Sequence, residues 1–101
     1  MTNRYVMKAA PGIQEFFDRI ADDMVLALGI SQAEAVARIN WHWGGYEFHD
    51  DDIVLHEEAH YWAMRIYYPD VPDWSPDADR SQWRFREKPP ADSGCWTLGI
   101  T

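Results

Sequence analysis

The stretch that decides the fold runs from residue 12 to residue 28 and reads GIQEFFDRIADDMVLAL. Its apolar residues recur at spacings of three and four, which places them along one face of a helix. They are Ile13, Phe16, Phe17, Ile20, Met24 and Leu28. Pro11 suits the first helical turn, and Gly29 suits the position just past the end. The pattern predicts an amphipathic helix over about residues 12–28.

A second helix is predicted after a short turn. Residues 31–34 read SQAE, a capping box in which the Ser31 oxygen accepts a hydrogen bond from a free backbone N–H and Glu34 reaches back to the cap. We expect this helix over about residues 31–42, ended by the glycines at positions 44 and 45. Two helices joined by a short turn form an αα-hairpin.

A third helix is predicted over about residues 53–68, where the apolar face again recurs at helical spacing and Pro69 ends the pattern. The acidic run Asp50–Asp52 comes just before it. Carboxylates at that position stabilise a helix N-terminus through its dipole and its free N–H groups.

Beyond Pro69 the pattern changes to one typical of strands. Residues 83–86 alternate apolar and charged side chains, and the apolar residues of 96–100 alternate with small ones. We expect a β-like tail over about residues 82–100, with Tyr5–Met7 as a third strand. The predicted fold is a single α+β domain over residues 1–101: a three-helix core with a small antiparallel β-hairpin or three-stranded sheet at the C-terminal end.

Charge and cysteine content narrow the classes of function. The chain has 101 residues and a formal net charge of −8, from 17 acidic against 9 basic residues. Such a surface repels phosphate, so we expect no nucleic-acid partner, and it suits a basic protein or a divalent cation, or solubility alone. Cys95 is the only cysteine, so a buried structural thiol and a cytoplasmic location are expected. No long apolar run indicates a secretion signal or a membrane span.

One motif carries chemistry. Residues 56–60 read HEEAH and match H-E-x-x-H. On a helix, His56 and His60 lie one turn apart and can bind one zinc ion, with Glu57 as the general base that activates a bound water. A third protein ligand is needed, and no familiar downstream pattern supplies one. The alternative is that both histidines are structural residues at the edge of the apolar face.

An aromatic run on the same helix supports a different interpretation. Ile39-Asn40, Trp43-Gly44 and the run YWAMRIYY at residues 61–68 together resemble a family of small bacterial proteins of uncharacterised function, over roughly residues 31–74. The resemblance implies no activity. Tyr61, Arg65 and Tyr68 fall away from the expected core face, and Tyr and Arg are frequent anchors of interfaces. They are candidate partner-binding residues, unless their rings simply cover the core.

Two hypotheses about function follow. The first is a non-enzymatic interaction protein that needs no cofactor and covers a basic protein partner, as immunity proteins cover toxin nucleases. An exposed aromatic face is also compatible with a homodimer. The second is a zinc-dependent hydrolase that uses His56 and His60 as ligands and Glu57 as base.

Overall fold

Three helices and two short strands make up the regular structure in a computed structural model, which describes residues 4–49, 52 and 56–100. In chain order they are β1 (Lys8–Ala9), α1 (Pro11–Leu28), α2 (Gln32–Trp43), β2 (Glu47–Phe48) and α3 (Ala59–Tyr67). The Cα radius of gyration is 13.3 Å, as expected of about 100 residues packed into one compact body. Within the described ranges, no helix is both long and apolar enough to cross a lipid bilayer.

The predicted signals mark both ends of α1. Pro11 occupies the first helical position, one residue before the predicted start. Gly29 adopts a left-handed conformation with φ of 70° and donates its N–H to the carbonyl oxygen of Val25. The helix therefore ends at a glycine, the residue that adopts this left-handed conformation without a steric penalty.

The N-terminal cap of α2 forms on the serine side as the capping box predicts. The backbone N–H of Glu34 donates to Ser31 Oγ at 3.0 Å. The Glu34 carboxylate also lies 2.8 Å from Arg38 Nε on the next turn. Every residue from 33 to 40 is buried, so α2 is covered on all sides along most of its length.

The predicted antiparallel hairpin or three-stranded sheet is wrong. The described residues form a two-stranded parallel sheet, in which Lys8 pairs with Glu47 and Ala9 with Phe48. Tyr5–Met7 precede β1 and are not part of it. Because α1 and α2 lie between the two strands in sequence, the connection is a helical crossover, which parallel strands require.

The predicted β-like tail over residues 82–100 contains no strand, since none of the described residues after Tyr67 belongs to a helix or a strand. The tail instead packs on the helices as an irregular chain. Arg86 donates its N–H to the carbonyl oxygen of Tyr67, and its own carbonyl oxygen accepts from the Arg38 guanidinium. Its backbone groups are thereby paired without a partner strand.

The core is aromatic and joins five parts of the chain. Phe17 of α1 is fully buried, with ring centroids 5.1 Å from Tyr5, 5.2 Å from Trp43 and 5.3 Å from Phe48. Trp43 also meets Trp62 of α3 edge to face at 5.2 Å. These contacts connect the N-terminal segment, all three helices and β2 through two rings, Phe17 and Trp43.

Candidate functional site

The H-E-x-x-H motif does not lie on one helix. α3 begins at Ala59 with Glu58 as its N-cap, so His56 and Glu57 precede the helix and only His60 belongs to it. The predicted helix over residues 53–68 therefore starts later than expected, and residues 53–55 lie outside the described part of the chain. The one-turn spacing that would align His56 with His60 is absent.

His60 has a partner on another helix. Its Nδ1 lies 2.7 Å from Asp23 Oδ2, which ties the start of α3 to the middle of α1. Among the described residues, no group of three or more His, Cys, Asp or Glu side chains is placed to hold a metal ion. Asp50 and Asp51, two of the carboxylates near the motif, lie outside those residues. Zinc binding by His56 and His60 stays a prediction, without the helical geometry on which it rested.

Two of the three predicted partner-binding residues come together on the surface. The rings of Tyr61 and Trp74 are stacked, with centroids 5.3 Å apart and planes 6° from parallel. The guanidinium carbon of Arg65, one turn along α3, lies 5.9 Å from the Tyr61 centroid. Trp74 is 47% exposed, and Arg65 is also exposed. We call Tyr61, Arg65 and Trp74 the aromatic platform.

The platform is anchored to the core through a chain of rings. Tyr61 meets Trp62 edge to face at 5.0 Å, and Trp62 in turn meets the buried Trp43. Because each ring is held by the next, the exposed pair has little rotational freedom to lose when a partner binds.

Tyr68, the third predicted partner-binding residue, does not share this surface. It is only 6% exposed and packs against Tyr67 and, edge to face, against Trp83 of the tail at 5.2 Å. Burial raises the pKa of its hydroxyl. Partner binding by Tyr68 stays a prediction, but its side chain is buried: the tail covers it, and the helical pattern of α3 alone does not reveal that cover.

Carboxylates adjoin the platform in sequence. Glu57 and Glu58 are exposed just before α3, and Asp73 is exposed next to Trp74. Asp73 Oδ1 accepts a hydrogen bond from the Ser75 N–H at 2.9 Å, which shapes the loop that carries Trp74. Hydrogen bonds from Ser75, the side chain first and then the backbone, lower the pKa of Asp73. Asp73 is therefore ionised at neutral pH.

A second surface feature was not predicted. A groove of about 470 Å³ lies between α2 and the tail, and its lining includes Arg38, Trp41, His42, Arg86 and Lys88. We call it the basic groove. The local sequence offers a signal only in the cluster of cations at residues 84–88, because Arg38, Trp41 and His42 come from a distant helix.

Comparisons of the chain with protein-family models, with curated proteins and with solved structures find no match. The functional assignment therefore depends on the geometry of the two surfaces described above.

Proposed function

We propose that this chain is a non-enzymatic protein-interaction module that binds a basic protein partner through the aromatic platform. The observation that carries the proposal is the stacked, partly exposed pair Tyr61–Trp74 with Arg65 beside it. Tyr, Trp and Arg are the residue types that most often dominate binding energy at protein interfaces. Here they occur together, on a helix and a loop that are both anchored to the body.

Charge supports a basic partner over an acidic one. The chain carries a formal net charge of −8, and the exposed carboxylates Glu57, Glu58 and Asp73 lie close to the platform residues in sequence. An acidic surface of this kind attracts a basic protein over distances up to about the Debye length, near 10 Å at 0.1 M salt. The aromatic pair then supplies the contact area, and the carboxylates form the polar rim.

The test uses a platform variant and a matched aromatic control. Tyr61→Ala/Trp74→Ala removes the stacked pair, whereas Tyr46→Ala removes an aromatic ring that is 63% exposed elsewhere. Partners are recovered by cross-linking from a bacterial lysate, purified, and titrated against each variant. The proposal expects a basic partner with one-to-one stoichiometry, weakened by roughly tenfold or more in the platform variant and unchanged in the control.

Salt dependence provides a second readout. Raising NaCl from about 50 to about 300 mM is expected to slow association, since electrostatic steering is screened. A purified partner that binds the platform variant as tightly as the wild type would overturn the proposal. So would the recovery of only acidic partners, or of none that binds stoichiometrically. Circular dichroism of both variants establishes that each remains folded.

A further inference from the structure

The basic groove concentrates positive charge in an acidic chain. Arg38, Arg86 and Lys88 line it, with Glu87 as the lining carboxylate and Glu34 buried behind. These three cations and two carboxylates give the groove a net charge of +1. Its volume of about 470 Å³ lies within the range of pockets that hold small organic ligands.

The Arg38 side chain lies at the base of this groove and is held there by three contacts. Its Nε donates to Glu34 Oε2 at 2.8 Å, and Nη1 donates to the carbonyl oxygen of Arg86 at 2.8 Å. Its guanidinium carbon lies 4.6 Å from the centroid of the Tyr67 ring. With only 3% of its side chain exposed, Arg38 holds the tail in place and keeps its charge at the groove.

The outer cations are free to reach a ligand. The Lys88 side chain is 63% exposed, and its Nζ lies 3.6 Å from Glu34 Oε1, longer than a hydrogen bond. Arg86 is exposed, and its structural contacts are made by its backbone. Both side chains can therefore turn toward an anion without breaking the packing of the tail.

The walls of the groove are flat and apolar. Trp41 is 57% exposed and lines the groove, as do the consecutive prolines at positions 89 and 90. A Trp ring offers a stacking surface for a planar group. Cations at one part of a pocket and an exposed ring at another are the features that recognise an aromatic anion.

We propose that the basic groove binds a small organic anion, a phosphate or carboxylate carried on a flat ring, with Arg86 and Lys88 contacting the anionic group and Trp41 contacting the ring. This site is separate from the aromatic platform, and its occupancy does not depend on the proposed protein partner. A small ligand meets only the local positive charge, because the carboxylates elsewhere are screened beyond about 10 Å. A nucleic acid would extend onto the acidic surface.

Four probes separate the two parts of the proposed ligand. Phenyl phosphate and benzoate carry both a ring and an anion, inorganic phosphate carries only the anion, and benzyl alcohol carries only the ring. Each is titrated to roughly 10 mM into ¹⁵N-labelled protein at about 0.1 M NaCl, where the Debye length is near 10 Å, while the Trp41 indole and the Arg38 Nε signals are followed by NMR. We expect saturable shifts with phenyl phosphate, benzoate or both, weaker binding of inorganic phosphate, and none of benzyl alcohol.

Matched charge variants locate the binding. Arg86→Gln/Lys88→Gln removes two positive charges from the groove, and Lys8→Gln/Arg84→Gln removes two from exposed positions outside its lining. The groove variant should weaken the bound probe by roughly tenfold, the loss expected for charge-assisted hydrogen bonds, and the control by less than about twofold. Trp41→Ala should weaken phenyl phosphate and leave inorganic phosphate unchanged.

The proposal would be overturned by no saturable shift with either aromatic anion, by equal binding of benzyl alcohol, or by equal losses in the groove and control variants. The relative affinities of phenyl phosphate and benzoate decide which anionic group the site prefers. Thermal unfolding of each variant shows whether a loss of binding comes from unfolding of the tail instead. A groove variant that stays folded and keeps full affinity would also refute the assignment.

Discussion

His42 is a surface residue whose charge state depends on its neighbours. Its ring lies edge to face with Trp43, 5.0 Å between centroids. Partial burial, and then the positive charges of Arg86 and Arg65, lower the pKa of His42 below its ordinary value of 6.5. The folded protein thus binds a proton at this imidazole more weakly than the unfolded chain does, because the cation is poorly hydrated and repelled.

The lowered pKa of His42 determines how the stability of the fold depends on pH. When folding lowers the pKa of a histidine, the free energy of unfolding does not change with this group at a pH above its pKa in the unfolded chain, about 6.5. It decreases as the pH falls below that value, because the unfolded chain then binds the proton more readily. We expect the free energy of unfolding of the wild type, relative to His42→Gln, to fall between about pH 7 and pH 5 and to be flat above. Urea unfolding at a series of pH values measures this difference.

His49→Gln controls for the loss of an exposed imidazole, since His49 is also exposed but lies outside α2. The other histidines are present in both proteins and therefore cancel in the comparison. A wild type that gains stability over His42→Gln as the pH falls would show that the imidazolium is favoured in the folded state, contrary to the prediction.

At the scale of single elements, α2 is unusual because its outward side is buried by the tail. That side carries an ion pair, Glu34–Arg38, with exposed side-chain fractions of 8% and 3%. Removing one member of a buried pair leaves an uncompensated charge and typically costs about 3–5 kcal/mol, whereas replacing both is often tolerated. The pair therefore holds the helix and the tail to each other.

A double-mutant cycle tests this role. Arg38→Met should lower the free energy of unfolding by about 3 kcal/mol, since Glu34 is then buried without its closest partner. Glu34→Gln/Arg38→Met should recover part of that loss because no buried charge remains, although the hydrogen bond to Arg86 is still missing. Urea denaturation of the wild type, Arg38→Met, Glu34→Gln and the double variant gives the coupling energy. Additive losses would show that the two side chains act independently.

Elements that are determined by neighbouring residues in the sequence could be predicted. Elements that depend on contacts between distant parts of the chain could not. α1 follows from its periodicity, Pro11 and Gly29, all of which act within the helix. The tail shows that alternating apolar and charged residues do not by themselves establish a β-strand. Trp83 and Phe85 face the same side of an extended chain and pack on Tyr68 and Tyr67, with centroids 5.2 Å and 5.4 Å apart. Their two-residue period is genuine, but it reflects packing on α3 and no ladder of strand hydrogen bonds.

The same limit applies to the candidate sites. Tyr61 and Arg65 were predicted as surface residues because their positions on α3 avoid the apolar face. Trp74 could be recognised as their partner only from the path of the loop, which Asp73 and Ser75 shape. The basic groove joins residues about 48 positions apart, such as Arg38 and Arg86, and no local pattern encodes that proximity.

At the scale of the whole molecule, one buried amide connects both ends of the described chain to its middle. Asn40 is fully buried on α2, and its Oδ1 accepts from the Val6 N–H at 2.9 Å. Its Nδ2 donates to the carbonyl oxygens of Arg4 at 3.0 Å and Cys95 at 2.9 Å. One side chain thus bonds three backbone groups, and Thr97 donates a second hydrogen bond to each of the two carbonyl oxygens, from its hydroxyl to Arg4 and from its N–H to Cys95.

Replacing this amide should destabilise the whole fold. Asn40→Ala removes three hydrogen bonds and leaves the Val6 N–H without this acceptor, while Thr97 still donates to the carbonyl oxygens of Arg4 and Cys95. At about 1 kcal/mol for each lost bond, we expect a loss of about 3 kcal/mol in the free energy of unfolding. The total free energy of unfolding of a domain is typically about 5–15 kcal/mol, so this loss is a large fraction of it. Urea denaturation measures the loss, and hydrogen exchange should show a lower protection of the Val6 amide.

Thr97→Val is the matched control, because the Thr97 hydroxyl also donates to the Arg4 carbonyl oxygen. In this variant Arg4 keeps its bond from Asn40, so the loss should be near 1 kcal/mol and Val6 should stay protected. Equal losses in the two variants would mean that the ends are held by apolar packing and the amide adds little. A much larger loss in Asn40→Ala, with deprotection at both ends, would establish that α2 organises the fold through this side chain as well as through its apolar face.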